Sequence, residues 1–461
     1  EEARKSRHNP YYNYYHWWPA EKGEPPLRLS YFDEEGNAWM YNKSTDSYYL
    51  HYFSRKQPDL NWENPEVRQE IFDMRFWFDK GIDGFRMDSI SLIAKDPSFP
   101  LIDSKKYPDI FSFYAKEPRL HLYLHEMNRQ VLSKYDCMSV GEGSAVMVDD
   151  VAKFVDPARE ELNMLYHFDA ARIRNTTLPD NPESGIDYSL IALKKMFTEW
   201  DKAVDKGWPS IYLGNHDQPR MVSRFGSDKD EFRALSAKML ITFLLTMRGT
   251  PYWFAGDEIG MRNIRFDRIE DYNDIDTINR YKKAKAEGKD PQAVLDEQKE
   301  TGRDNARTPF QWDRSPEAGF TAGTPWLKVN PDYTWINVAD EEKDPTSILN
   351  YFKKVVSFRK ENPSLIYGSY HLLDAENPQC YIFLRKTGAD TYLIMLNFSP
   401  KAAISTPGID MSNAHVLLDN YGDRSHMAPQ KDITLRPFEA IVFQLNHPVY
   451  ESFIDSLDLL E

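Results

Sequence analysis

Residues 83–88 read DGFRMD, residues 139–142 read SVGE, and residues 210–217 read SIYLGNHD. All three are short runs of apolar or small residues that finish on an acid: Asp88, Glu142 and Asp217. A half-dozen residues bounded by turn formers is the length of a buried strand. Ending three of them on a carboxylate is an unusual placement for charge. What lies between them decides the sheet type.

Ahead of the first run, Asn64-Pro65-Glu66 has the form of a helix start, with Asn at the cap, Pro at the first helical position and an acid in the first turn. Val67, Ile71, Met74 and Phe78 follow at helical spacing, and Gly81 closes the helix. Helical material spans about Ile110 to Lys134, Tyr188 to Asp201 and Phe232 to Thr246. Residues 162–169 give a further strand, and Pro251 to Ala255 a final buried one. Strand and helix alternate, which is the rhythm of a parallel sheet with crossover helices. A polar excursion from Asp257 to Lys343 precedes one more helix, Ser347 to Glu361. After Pro363 the pattern changes to short strands, with a hairpin about Thr387-Gly388, giving a small antiparallel β-domain.

In a parallel α/β barrel the C-terminal strand ends gather at one mouth, where active sites form. Three carboxylates gathered there repel one another unless a reaction needs them. Glycoside hydrolysis needs two, one to attack the anomeric carbon and one, protonated, to donate to the leaving oxygen. A third can orient sugar hydroxyls. Arg86 stands two residues before Asp88, on the same strand face, where a guanidinium keeps a carboxylate ionised. His216, beside Asp217, is placed to bind a sugar hydroxyl. A lone strand-end acid is more often a structural partner; the weight comes from three in one rhythm.

Composition is compatible with this. Aromatic residues make up 14 % of the chain, with 11 Trp, and pyranose faces pack on rings, although core packing absorbs most of them. The formal net charge of −15 argues against nucleic acid and against an anionic membrane surface, while a neutral substrate tolerates it. No apolar run approaches the roughly 20 residues that cross a bilayer. The two cysteines, Cys137 and Cys380, have no neighbours that suggest metal or redox chemistry, and Cys137 reads as a buried free thiol.

GFRMDSI, SVGEGSA and LGNHDQPR resemble signature regions of the α-amylase family of glycoside hydrolases. QPDLNWENP and, at residues 303–313, RDNARTPFQWD resemble hallmarks of its oligo-1,6-glucosidase, α-glucosidase and sucrose-isomerase branch. The resemblance implies a (β/α)8 TIM barrel with a C-terminal antiparallel β-domain. It also implies that Asp88 is the nucleophile, Glu142 the acid/base and Asp217 the transition-state stabiliser, with Arg86, His216 and Arg307 binding substrate. For Arg307 a loop salt bridge is an equal alternative.

Nothing in the chain matches the family's first three barrel strands or the Asp–His motif that ends the third. About five of the eight strands are therefore expected. The expected division is 1–62, a remnant of the small irregular β-domain inserted after strand three; 63–363, strands four to eight with the long loop 257–343; 364–446, a C-terminal β-sandwich; and 447–461, a tail. The early calcium loop of some relatives is also unmatched, so no metal and no cofactor is expected. As an isolated polypeptide such a chain is expected to fold poorly or to be hydrolytically silent.

The residue after the nucleophile tends to be Val in branch members that favour α-1,6 bonds; Ser89 sits closer to the Ala or Thr of those favouring α-1,4. Gly143, Ser144 and Ala145 follow the acid where sucrose isomerases carry an aromatic, and Arg172 and Arg174 stand in a string unlike the isomerases' Arg-rich one. Those two arginines read as solvated charges. The expected activity is exo-acting hydrolysis of small α-glucosides by a retaining mechanism. Sucrose isomerisation or transglucosylation is the alternative, and a non-catalytic amylase-like partner protein is the alternative of another class. Asp59 reads as structural, and Asp257 and Glu258 as solvent-exposed.

Overall fold

A parallel ladder carries the first two of the quoted runs. In a computed structural model that describes all residues except 33–36, 104, 107–112, 389, 412–413, 425–430 and 446–461, the strands Gly84–Met87, Met138–Glu142 and Met164–Tyr166 pair in that order. Arg86 lies opposite Val140, and Glu142 opposite Tyr166. The central strand is buried except at Met138, as a strand covered on both faces must be. Gly84 is required by closeness alone: a Cβ there would stand 2.0 Å from the Met138 carbonyl oxygen.

The chain divides into two compact units, and this sheet belongs to the first, which comprises residues 1–168, 203–209 and 275–291. The helix Arg119–Gln130 connects its first two strands, burying Leu120, Tyr123, Leu124 and Met127 at the i, i+3, i+4, i+7 spacing of one helix face. Asn64 caps the helix Pro65–Phe72, its Oδ1 accepting from the Glu66 amide at 3.0 Å. That helix stops earlier than its apolar spacing suggests. Asp73, with ψ near 1°, ends it, and a second short helix, Arg75–Asp79, takes up the remaining apolar positions. The Tyr- and Trp-rich start forms a three-stranded antiparallel sheet of Trp17–Pro19, Ser47–Leu50 and Trp39–Asn42 around Ala38, Trp39, Leu50 and Phe99. Asp59 is structural, accepting from the Tyr52 amide at 2.8 Å and pairing with Lys95.

The second unit comprises residues 169–202, 210–274 and 292–461. Its parallel strands are short, Ser210–Ile211 beside Thr250–Pro251. The helix Arg233–Thr246 is buried at every position but Ala234 and Leu235, because it has partners on opposite sides. One is the helix Ile348–Glu361, capped by the Ser347 hydroxyl, where Tyr351 meets the Thr242 hydroxyl at 2.7 Å. The other is the C-terminal sheet, where Tyr381 packs on Phe243 with ring centroids 5.1 Å apart.

That sheet is antiparallel, in the order His415–Asp419, Ala440–Leu445, Asp390–Asn397, Cys380–Thr387, Ser369–Leu373. The expected hairpin joins Cys380–Thr387 to Asp390–Asn397. Cys380, Ile382 and Leu384 face a second core that includes Ala403, Ile433 and Leu435 of the ribbon Ala403–Ser405/Ile433–Leu435, while Tyr381 and Phe383 face the other way. Two buried arginines tie this region together. Arg385 donates to the carbonyls of Thr246 and Gly368 at 2.8 and 2.6 Å, and Arg359 to those of Leu245, Met247 and Leu365 at 2.8, 2.8 and 2.9 Å. They satisfy carbonyls that a helix C-terminus leaves without intrahelical donors.

Three expectations are corrected. Cys137 is half-buried, its thiol donating to the Leu132 carbonyl at 3.4 Å just outside the strand; the deeply buried thiol is Cys380. Arg174 is a structural pin, with Nε 2.6 Å from the Arg224 carbonyl and Nη2 2.6 Å from Asp187; Arg172 is exposed. Asp257 is 3 % exposed, because the turn after Gly256 folds it under Gly214 and against Arg220 at 3.5 Å. The tail 447–461 lies outside the described residues.

Candidate active site

Within the first unit, Arg86 brings three strand ends together. Its Nη1 pairs with Asp88, its Nη2 donates to Glu142 Oε2 at 2.9 Å, and its Nε donates to the Tyr166 hydroxyl. The period of two along the strand puts Arg86 and Asp88 on one face, as the sequence implied. The two acids have opposite surroundings: the Asp88 side chain is 74 % exposed, that of Glu142 only 8 %.

Burial pushes the Glu142 carboxyl up to about 7, with the neighbouring Asp88 adding to the rise; the Ser89 amide and the Arg86 charge oppose it. Burial on its own would lower the Arg86 guanidinium, but the bond to Asp88 and the charge of Glu142 outweigh it and hold that group firmly protonated. Ser89 sits at φ 44°, in the left-handed region, and this turns its amide onto Glu142 Oε2 at 2.9 Å. After Glu142 the backbone is close-packed: a Cβ on Gly143 would meet Leu165 Cδ2 at 2.5 Å.

Within the second unit, Asp217 is the focus. Its Oδ1 accepts from Arg307 Nη2 at 2.6 Å and Arg303 Nη1 at 3.2 Å, and its Oδ2 lies 3.3 Å from His216 Nε2. Arg307 Nε also donates to the His216 carbonyl at 2.8 Å, so the salt-bridge reading of Arg307 describes its contacts here. Asn215 Oδ1 accepts from the Asp217 amide at 2.8 Å and sets the turn. Behind Arg303 lies Asp274, with a 1 % exposed side chain, held by Asp304, whose Oδ2 accepts the amides of Asn273 and Asp274 at 2.7 and 2.8 Å. His216, Arg307, Phe254, Phe320 and Trp326 line a cavity of about 470 Å³ in this unit.

The structure thus groups Arg86, Asp88 and Glu142 in one unit and His216, Asp217 and Arg307 in the other. Sequence reasoning missed Arg303, Asp274 and Tyr166. Arg303 stands four residues before Arg307 in RDNARTPFQWD, a signal that was present, whereas Tyr166 ends its strand with nothing local to mark its hydroxyl as a partner of Arg86. Among the described residues no cluster of three or more His, Cys, Asp or Glu side chains is placed to hold a metal ion. No described helix is long and apolar enough to cross a membrane.

The model of the α-amylase catalytic domain matches residues 1–368. The chain belongs to the α-amylase family. Its fold is accordingly the family's (β/α)8 catalytic domain followed by an antiparallel β-domain, and the α-amylase-family chain is a glycoside hydrolase by membership. It is 47 % identical over 459 residues to the oligo-1,6-glucosidase of Parageobacillus thermoglucosidasius, covering 97 % of this chain and 80 % of that one. To the α-glucosidase of Pediococcus pentosaceus it is 38 % identical over 451 residues, covering 96 % and 79 %. Among solved structures, the isomaltulose synthase SmuA from Protaminobacter rubrum superimposes with a TM-score of 0.89 at 37 % identity, covering 97 % and 80 %. A MutB mutant in complex with sucrose gives 0.89 at 37 %, covering 96 % and 80 %.

Proposed function

We propose that this glycoside hydrolase is an exo-acting, retaining α-glucosidase of small oligosaccharides, in which residues 63–363 carry the chemistry and 364–446 form the accessory β-domain. Asp88 attacks the anomeric carbon while Glu142 protonates the leaving oxygen; Glu142 then takes a proton from water, which releases glucose with its configuration kept. Asp217 steadies the positive charge that develops on the sugar ring, and Arg86, His216 and Arg307 bind its hydroxyls.

The observation that carries this reading is the asymmetry of the Arg86-linked pair. Glu142 is buried and pushed up to about 7, so it holds a proton near neutrality, while Asp88 is exposed beside a guanidinium. One acid is set to donate and one to attack. The test is Glu142→Gln. Turnover of maltose is expected to collapse, while a dinitrophenyl α-glucoside, whose leaving group needs no proton, still releases a burst of phenol. Equal loss on both substrates would remove Glu142 from the acid's role.

Ser89 favours α-1,4 or sucrose-like bonds over α-1,6, whereas several relatives are named oligo-1,6-glucosidase. Relative kcat/KM on maltose, sucrose and isomaltose decides between them. Sucrose isomerisation is the second reading, favoured by the likeness to isomaltulose synthase. Gly143-Ser144-Ala145, with no ring to retain fructose, favours hydrolysis, for which sucrose yields glucose and fructose rather than isomaltulose.

A further inference from the structure

We infer that the Tyr166 hydroxyl is a positioning group that locks the plane of Arg86 and thereby sets the orientation of both carboxylates the guanidinium holds. The inference rests on the reading that Asp88 and Glu142 perform the chemistry.

A guanidinium is planar and presents donors at three corners. Arg86 uses Nη1 on Asp88, Nη2 on Glu142 and Nε on Tyr166. Contacts at two corners leave the plane free to hinge about the line that joins them. A third acceptor off that line stops the hinge, and among the described residues Tyr166 supplies it, from the end of the strand Met164–Tyr166. The register places Tyr166 directly opposite Glu142, so the hydroxyl and the acid are fixed by the same ladder. The ring lies beside the guanidinium, with Arg86 Cζ 5.6 Å from its centroid; this contact survives loss of the oxygen. Glu142 is faced by Arg86 Nη2, the Ser89 amide and the Asp88 carboxylate from the first strand, and by Tyr166 from the third.

Tyr166→Phe removes one oxygen and leaves Arg86 Nε–H without its acceptor. The guanidinium then swings, Asp88 loses its fixed aim, and Glu142 loses part of the charge that lowers it. The expected results are a kcat about tenfold lower with KM nearly unchanged. The titration midpoint of Glu142, followed by 13C NMR of glutamate-labelled protein and assigned with Glu142→Gln, is expected to rise by about half a pH unit, a fraction of the ~1–3 units an adjacent charge exerts.

Tyr188→Phe is the control for simple loss of a buried hydroxyl. Its OH donates to the Phe225 carbonyl at 3.2 Å, so it should lower Tm without moving the Glu142 midpoint. A midpoint unmoved in Tyr166→Phe, or moved equally in the control, overturns the inference. The midpoint is read on the free protein, so the two claims fail separately. A shifted midpoint without any glucosidase turnover in the parent chain sinks the functional reading alone. Turnover with an unmoved midpoint sinks the positioning role alone.

Discussion

Replacing Glu142 by Gln should abolish turnover of natural substrates and stabilise the fold, the latter growing as pH rises from about 4.5 and complete above about 7. In the folded protein burial pushes the Glu142 carboxyl up to about 7, from a usual value of 4.5. Between those two values the folded state binds more protons than the unfolded one, so stability falls as pH rises through the window. A span of about 2.5 pH units at 1.36 kcal/mol each gives a penalty on the order of 3 kcal/mol for holding the ionised acid at pH 8. The side chain is only 8 % exposed, so solvent screening removes little of this. Glutamine carries no charge and keeps an oxygen for Arg86 Nη2, so it escapes the penalty. Urea unfolding of wild type and Glu142→Gln at pH 4.5 and pH 8 measures the difference. The variant should match wild type at the lower pH and exceed it at the higher. A gap independent of pH, or one largest in acid, would refute the claim that burial holds this proton.

The same proton governs activity: kcat/KM should fall as pH rises through about 7, because the donor is lost. Asp274→Ala removes the buried carboxylate that pairs with Arg303, which also holds Asp217. We expect a stability loss of about 2–3 kcal/mol by urea melt and a lower kcat on p-nitrophenyl α-glucoside. Arg385→Met leaves the Thr246 and Gly368 carbonyls buried without their donor and should cost about 3 kcal/mol, visible as a lowered Tm, with kinetics of the folded fraction unchanged. Gly143→Ala drives a methyl into Leu165 and should destabilise by about 1–3 kcal/mol, seen as a lower urea midpoint.

Much of this was open to reading in one sequence because strands and helices mark their faces periodically. DGFRMD and SVGE gave their strands to within a residue or two, Asn64 acts as the cap its motif implies, and the helix read as Ser347 to Glu361 begins one residue later. The pairing of Arg86 with Asp88 needed only a spacing of two. What stayed hidden depends on neighbours remote in the chain. Pro251 to Ala255 looks like a strand, whereas the described strand is Thr250–Pro251 beside Ser210–Ile211, since a ladder lasts only as long as its partner runs beside it. Asp257 looks solvent-exposed until Gly256 turns it inward onto Arg220. Tyr166 in MLYHF gives no local hint that its oxygen meets an arginine 80 positions earlier.

The grip of Arg359 and Arg385 on the end of the helix Arg233–Thr246 bears on how this protein can be altered. A shortened version ending at Gly368 would strip the cover from Phe243 and unseat a guanidinium from the Thr246 carbonyl. The last ninety or so residues are therefore not an appended module to be trimmed or exchanged for another domain. Engineers seeking new specificity should leave that seam alone and recut the loops that follow the short strands instead.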